Sequence, residues 1–132
     1  MSTEVPARGY LLDTHVAIFS IAQSSALSAA AKAAVAEGPN FLSLVSYWEV
    51  MVKSIKGTLD VGDPRVWWSE ALDQLAATPL LLRPQHIAGV FDLPPIHKDP
   101  FDRLIISQAI IENLPVISSD KNFNYYEITS IW

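Results

Sequence analysis

Short apolar runs recur along this chain between longer stretches of helical periodicity, and two of the runs end at or beside an acid. Tyr10-Leu11-Leu12 meets Asp13, Phe41 to Ser43 follows a Gly-Pro stop, and Leu80 to Leu82 is apolar throughout. Pro115 to Ser118 leads to Asp120, and Glu127 to Ile131 closes the chain. A strand buried on both faces has no reason to alternate, so it reads as a short unbroken apolar run. The segments between carry helix signals. Val16, Ile18, Phe19 and Ile21 mark a first helix, and Ser28 can N-cap a second that ends at Gly38-Pro39. Ser46 opens a third through Trp48, Val50, Met51, Val52 and Ile55, closed by Gly57. Asp63-Pro64 and Asp99-Pro100 each set an N-cap before proline at the first helical position. Pro84 opens a short helix, and Asn122 to Tyr126 is a turn or another short one. Strands alternating with amphipathic helices specify an α/β domain with a parallel sheet covered on both faces.

The 132 residues fit one domain spanning 1–132, with about residues 1–9 as a flexible lead. Half the chain is apolar, enough for a sizeable core. With no cysteine, disulfides and thiolate metal sites are excluded and a reducing cytoplasm suits the chain. No signal-peptide pattern stands at the N-terminus, and no apolar run approaches the roughly 20 residues that span a bilayer. The net charge of −5 argues against broad neutralisation of nucleic-acid phosphates. A nucleic-acid enzyme of this charge needs a bound divalent cation or a local basic patch.

Asp13 and Asp120 end apolar strands, while Glu49 and Asp102 fall in the first turn of expected helices. In open α/β sheets ligands bind beyond the carboxyl ends of the strands, where helix N-termini also point. Four acids from four segments therefore converge on one rim. Each has a purely local explanation. Asp13 can cap the next helix, Glu49 can complete a capping box with Ser46, Asp102 suits the first-turn macrodipole, and Asp120 can be a turn acid. Jointly they point to a cation, because clustered carboxylates repel and raise one another's pKa unless something positive holds them. Oxygen ligands with no cysteine and sparse histidine suit Mg²⁺ or Mn²⁺ rather than zinc.

Other residues rank behind these. Thr14 and Ser119 flank the acids and can orient a carboxylate or a water, or merely cap. His15 at a helix start is more often a structural donor, and His86 and His97 have no ligand spacing with a partner. Trp48, Trp67 and Trp68 are base-stacking candidates that fit core or interface packing better. Lys53, Lys56 and Arg103 are candidate phosphate contacts, although Arg103 can instead pair with Asp99 one helical turn back.

Leu11-Leu12-Asp13-Thr14-His15, Ser46-Tyr47-Trp48-Glu49, the segment from His97 through Asp99-Pro100-Phe101-Asp102-Arg103 to Ile105, and Ser118-Ser119-Asp120 resemble, in order, the motifs of PIN-domain proteins. More narrowly, the chain is similar to VapC-type toxins of bacterial toxin–antitoxin pairs, from about Tyr10 to Trp132. The resemblance implies a three-layer α/β/α domain with a central, mostly parallel sheet. It implies an endoribonuclease dependent on Mg²⁺ or Mn²⁺, a homodimer, and a cognate antitoxin. Asp13, Glu49, Asp102 and Asp120 match the family's acidic quartet, and Asp99 matches an extra acid, read here as a helix cap. One departure is the Ser118-Ser119 pair, where threonine often precedes the last acid.

Two other phosphotransfer classes fit less well. A haloacid-dehalogenase-type hydrolase needs a second acid two residues after Asp13, where His15 stands. A response-regulator receiver expects paired early acids and a mid-chain phosphoacceptor. The non-enzymatic alternative is a regulatory module held inhibited in a complex with a DNA-binding antitoxin, with little catalysis of its own.

Overall fold

A computed structural model describes residues 8–132, so residues 1–7 of the expected flexible lead lie outside it. The chain runs β1 (Tyr10–Leu12), α1 (Thr14–Ala22), α2 (Ala29–Glu37), β2 (Asn40–Ser43), α3 (Leu44–Lys56), α4 (Pro64–Gln74), β3 (Ala77–Leu80), α5 (Pro84–Gly89), α6 (Pro100–Glu112), β4 (Val116–Ile117) and β5 (Ser130–Ile131). Short 3-10 helices stand at Ser24–Ala26, Val90–Asp92 and Lys121–Tyr125. The five strands form one sheet in the order β3-β2-β1-β4-β5, with every pairing parallel. With helices on both faces, this is a three-layer α/β/α domain.

Why the strands are apolar throughout is visible residue by residue. Successive side chains of a strand point to opposite faces. Leu11 and Val116 join Ile105, Ile106 and Ala109 of α6 in one core cluster. Their neighbours Leu12 and Ile117 join Val16 and Ala17 of α1, Ala31 and Ala34 of α2, and Trp67 and Ala71 of α4 in the other. A polar residue at either register would face a helix, not water. Gly9 sets the entry to β1 at φ +142°, and a Cβ there would lie 2.2 Å from the Pro39 carbonyl. That carbonyl accepts the Tyr10 N–H at 2.8 Å, so only glycine lets the ladder start here.

The last strand, expected over Glu127 to Ile131, is confined to Ser130–Ile131, and two other elements also depart from the sequence expectation. The strand expected at Leu80 to Leu82 runs instead over Ala77–Leu80, leaving Leu81 and Leu82 exposed. It contains Pro79, which cannot donate to a ladder and is tolerated because β3 is an edge strand. The third helix begins at Leu44, not Ser46, because the Ser43 hydroxyl accepts the Val45 N–H at 2.9 Å and caps it. The expected Ser46–Glu49 capping box therefore does not form, and Glu49 falls in the second turn.

The connections define the place where chemistry can sit. From β1 the chain steps outward through β2 to β3, then returns across the sheet to β4 and β5 on the other side of β1. The reversal opens a crevice at the carboxyl ends of β1 and β4, the usual ligand position in such sheets.

Candidate active site

Asp13 lies at that crevice. Its backbone N–H donates to the Ile117 carbonyl at 3.0 Å, extending the β1–β4 ladder by one residue. Although Asp13 occupies the N-cap position of α1, its carboxylate makes no capping hydrogen bond. It accepts the Ser118 hydroxyl on Oδ2 at 2.8 Å, and Oδ1 is buried without a hydrogen-bond partner. Burial pushes the Asp13 carboxyl above its ordinary range. The Ser118 bond and His15 pull it back, and the charges of Glu49 and Asp120 push it up again.

Glu49 projects from α3 and is 1% exposed. The Lys53 ammonium, one helical turn on, pairs with its Oε2 at 2.5 Å, while Oε1 is buried with no partner. Burial lowers the Lys53 pKa, but the Glu49 hydrogen bond and the charges of Glu49, Asp99 and Asp102 outweigh it, for a net rise. Thr14 and Ser46, both buried, share a 2.8 Å hydrogen bond that ties the start of α1 to α3.

Asp102 stands in the first turn of α6, which Asp99 caps by accepting the Phe101 N–H at 2.8 Å and the Asp102 N–H at 3.3 Å. Burial, then the charges of Asp13, Asp99, Glu49 and Asp120, push the Asp102 carboxyl up to about 8. Four carboxylates from β1, α3, α6 and the turn after β4 thus act on one another electrostatically.

Asp120 divides its oxygens. Oδ1 caps the following 3-10 turn through the Asn122 N–H at 2.9 Å, and Oδ2 meets His97 Nε2 at 2.7 Å. The same Nε2 lies 3.1 Å from Asp102 Oδ2, so His97, Asp102 and Asp120 present their polar atoms within 4.8 Å of one another. Sequence spacing gave His97 no partner because its partners come from other elements, the start of α6 and the turn after β4. Its position just before a capping Asp-Pro was the available signal. The hydroxyl expected of Ser119 comes from Ser118, the first residue beyond β4; Ser119 is exposed. Arg103 neither pairs with Asp99 nor keeps its fork free. It donates to the carbonyls of Val90, Leu93, Pro94 and His97, bracing the loop that carries His97.

A hollow of about 260 Å³ opens beside Glu49, flanked by His15, Lys53 and Thr58. Two larger hollows, about 560 and 590 Å³, lie against Ile110 and Tyr126 and hold none of the four acids. Chemistry, not volume, locates the site. The donor set fits a hard divalent cation: among the described residues one buried carboxylate oxygen on each of Asp13 and Glu49 has no hydrogen-bond donor, and Asp102 is driven toward its neutral form by burial and then by its acidic neighbours.

Fold and site together define a parallel α/β protein with an acidic pocket, suited to a divalent cation, at its topological switch point. The PIN domain family model matches residues 10–128, and the chain belongs to that family. PIN domains are generally nucleases. No curated protein matches the chain in sequence. Among solved structures it is similar to VapBC2 from Rickettsia felis bound to a DNA fragment from their promoter, at 16% identity and TM-score 0.64, covering 92% of this chain and 96% of that one. A toxin–antitoxin complex from Klebsiella pneumoniae matches at 22% identity and TM-score 0.57, covering 86% and 89%. FitAcB from Neisseria gonorrhoeae matches at 19% and 0.55, covering 92% and 95%.

Proposed function

We propose that this chain is a Mg²⁺- or Mn²⁺-dependent endoribonuclease and the toxin of a toxin–antitoxin pair. One observation carries the enzymatic part. Asp13, at the crevice between β1 and β4, and Glu49, on α3, each bury an oxygen that has no hydrogen-bond partner among the described residues. A buried acceptor without a donor costs about 1–3 kcal/mol, more when charged, and a cation removes that cost. Neither acid keeps the capping role its position in the sequence allows, and the Lys53 pair occupies only one oxygen of Glu49. Asp13 caps nothing with its side chain, and Glu49 is not in a capping box.

In this reading Asp13, Glu49, Asp102 and Asp120 hold the ion, Ser118 fixes Asp13, and Asp99 fixes the start of α6 and so the position of Asp102. When bound, the ion supplies a more acidic water and positive charge for the phosphodiester oxygens. The protein's own part is to hold the carboxylates rigidly and to keep the pocket narrow. Lys53 stands at the edge of the hollow, 30% exposed, where a phosphate of an RNA strand can reach it. The ion also answers the charge problem posed by a net −5 chain.

The toxin role draws on the structural neighbours, of which the Klebsiella pneumoniae assembly is a toxin–antitoxin complex and VapBC2 is bound to DNA from its own promoter. A protein partner and a homodimer accord with exposed apolar side chains along α3, where Tyr47, Trp48 and Met51 line an apolar hollow and Trp48 is 59% exposed. Among the described residues no helix is long and apolar enough to cross a membrane. We place the protein in the cytoplasm on its lack of cysteine.

The test is cleavage of structured RNA by metal-loaded protein beside Asp13→Asn and Asp102→Asn. Wild-type cleavage that is lost in both variants and in chelator is the expected result. Cleavage persisting in both variants refutes the site, and cleavage without divalent metal refutes the mechanism. Wild-type protein that binds metal but cuts no RNA returns the chain to the regulatory-module alternative.

A further inference from the structure

We propose that His97 is a positioning residue of the metal site: its Nε2–H clamps Asp102 to Asp120, and it is not itself a ligand of the ion. The inference rests on the metal-site reading above and concerns a residue outside the acidic quartet.

His97 is held through its ring and its backbone. Nδ1 accepts the Asp99 backbone N–H at 3.2 Å, and the His97 backbone N–H donates to the Tyr126 hydroxyl at 2.7 Å. Tyr126 in turn donates to the Pro94 carbonyl at 2.9 Å, and the edge of Phe123 packs against the imidazole at 5.8 Å between centroids. Which nitrogen bears the proton follows from what the other nitrogen accepts. With Nδ1 occupied as an acceptor, the proton sits on Nε2.

That proton faces two carboxylates. Asp120 Oδ2 lies 2.7 Å from Nε2 and Asp102 Oδ2 lies 3.1 Å from it, so one N–H is shared between acids from α6 and from the turn after β4. For His97 to bind an ion through Nε2, the proton would have to move to Nδ1. There it would face the Asp99 N–H, donor against donor. The backbone that caps α6 therefore holds the imidazole in its donor role. The consequence is geometric: the clamp takes one oxygen of Asp102 and sets its spacing from Asp120, leaving the other Asp102 oxygen for the cation. Groups that orient metal-binding carboxylates in this way typically contribute 10–100-fold to metal affinity.

The experiment compares wild type, His97→Leu and His97→Gln in Mn²⁺ titrations by calorimetry, with melting curves in chelator as the check on folding. Glutamine places an amide N–H near the position of Nε2; leucine places nothing there. His97→Leu should bind Mn²⁺ at least about tenfold more weakly, and His97→Gln should recover most of the loss. Nitrogen-15 NMR of the wild-type imidazole, with and without Mg²⁺, should report the Nε2–H form in both states, a measurement that survives misfolding of any variant. Loss of that form on adding Mg²⁺ overturns the proposal, because His97 is then a ligand. Equal Mn²⁺ affinity in His97→Leu and wild type overturns it as well, leaving the metal site intact. Wild type that binds no Mn²⁺ sinks the metal-site reading and the clamp with it.

Discussion

Asp102→Asn should destroy metal binding while stabilising the metal-free fold at neutral pH, and the structure fixes both the sign and the scale. Asp102 is 8% exposed, and its carboxyl is pushed from an ordinary 3.8 up to about 8 by burial and then by the charges of Asp13, Asp99, Glu49 and Asp120. An acid whose folded pKa is raised keeps its proton in the native state where the unfolded chain has already lost it. Below about pH 4 both states are protonated and the group is neutral toward stability. Between there and about pH 8 stability falls as pH rises, at about 1.4 kcal/mol per unit. Above that the native group ionises too and the loss levels off. Moving metal-free protein from about pH 5 to about pH 7.5 should therefore cost on the order of 3 kcal/mol through this one group. In a domain of this size that is roughly 10 °C of melting temperature.

Asparagine has nearly the same shape and no charge at any of these pH values. Its carbonyl can still accept from His97, and its amide can donate toward the neighbouring carboxylates. In chelator the two proteins should melt within a few degrees of each other near pH 5, with the variant roughly 10 °C higher near pH 7.5. Adding millimolar Mn²⁺ at pH 7.5 should reverse the order, since only the intact cluster gains by mass action. Thermal melts at the two pH values, with and without Mn²⁺, contain the whole test. A wild type whose melting temperature holds level with the variant's across this range would refute the claim that the acids are uncompensated without a cation.

Ser118→Ala removes the donor to Asp13 Oδ2 and should lower stability by about 1–2 kcal/mol and weaken Mn²⁺ binding, whereas Ser119→Ala at the neighbouring exposed position should change neither; melts and titration of the pair check this. Lys53→Met leaves both oxygens of buried Glu49 without a partner and should cost about 2–3 kcal/mol in chelator, recovered in part by Mn²⁺, as read from denaturant midpoints. Gly9→Ala sets a Cβ 2.2 Å from the Pro39 carbonyl and should prevent a stable fold or cost at least about 3 kcal/mol, while Gly57→Ala, with open space around it but φ at +76°, should cost about 1 kcal/mol in the same urea melts.

The parts of the fold that were legible in the sequence are those where one physical cause acts locally. Asp63-Pro64 and Asp99-Pro100 start α4 and α6 where expected, because a side-chain cap and a fixed φ are properties of two adjacent residues. The strand ending at Leu12 was legible because both faces of β1 are covered, so nothing polar interrupts it. At β3 the same rule failed. Apolarity pointed to Leu80 to Leu82, but an edge strand answers to its neighbour's register as well as to its own composition, and β2 pairs with Ala77 through Leu80. The leucines left over at the end are exposed, where only a surface contact gives them a use.

The site divides along the same line. That Asp13 and Asp120 follow strands and Asp102 opens a helix is local and legible in the sequence; Glu49, expected in a first turn, falls in the second, and what each acid's oxygens do is not local. Asp13 and Asp99 both occupy N-cap positions, yet Asp99 uses its carboxylate for the cap and Asp13 does not, because Ser118 across the β1–β4 crevice takes one of its oxygens. Ser46 and Glu49 have capping-box spacing, yet Ser43 captures the cap first and leaves Ser46 to Thr14 and Glu49 to Lys53. A capping explanation is thus excluded only by seeing where the helix begins and who accepts the hydrogen bond. His97 is the extreme case, since neither of its carboxylate partners lies within hydrogen-bonding reach along its own backbone. The crossover that carries the chain back over β1 creates that meeting. A function that depends on unsatisfied oxygens therefore cannot be read from acids alone; it needs the list of donors that the fold withholds from them.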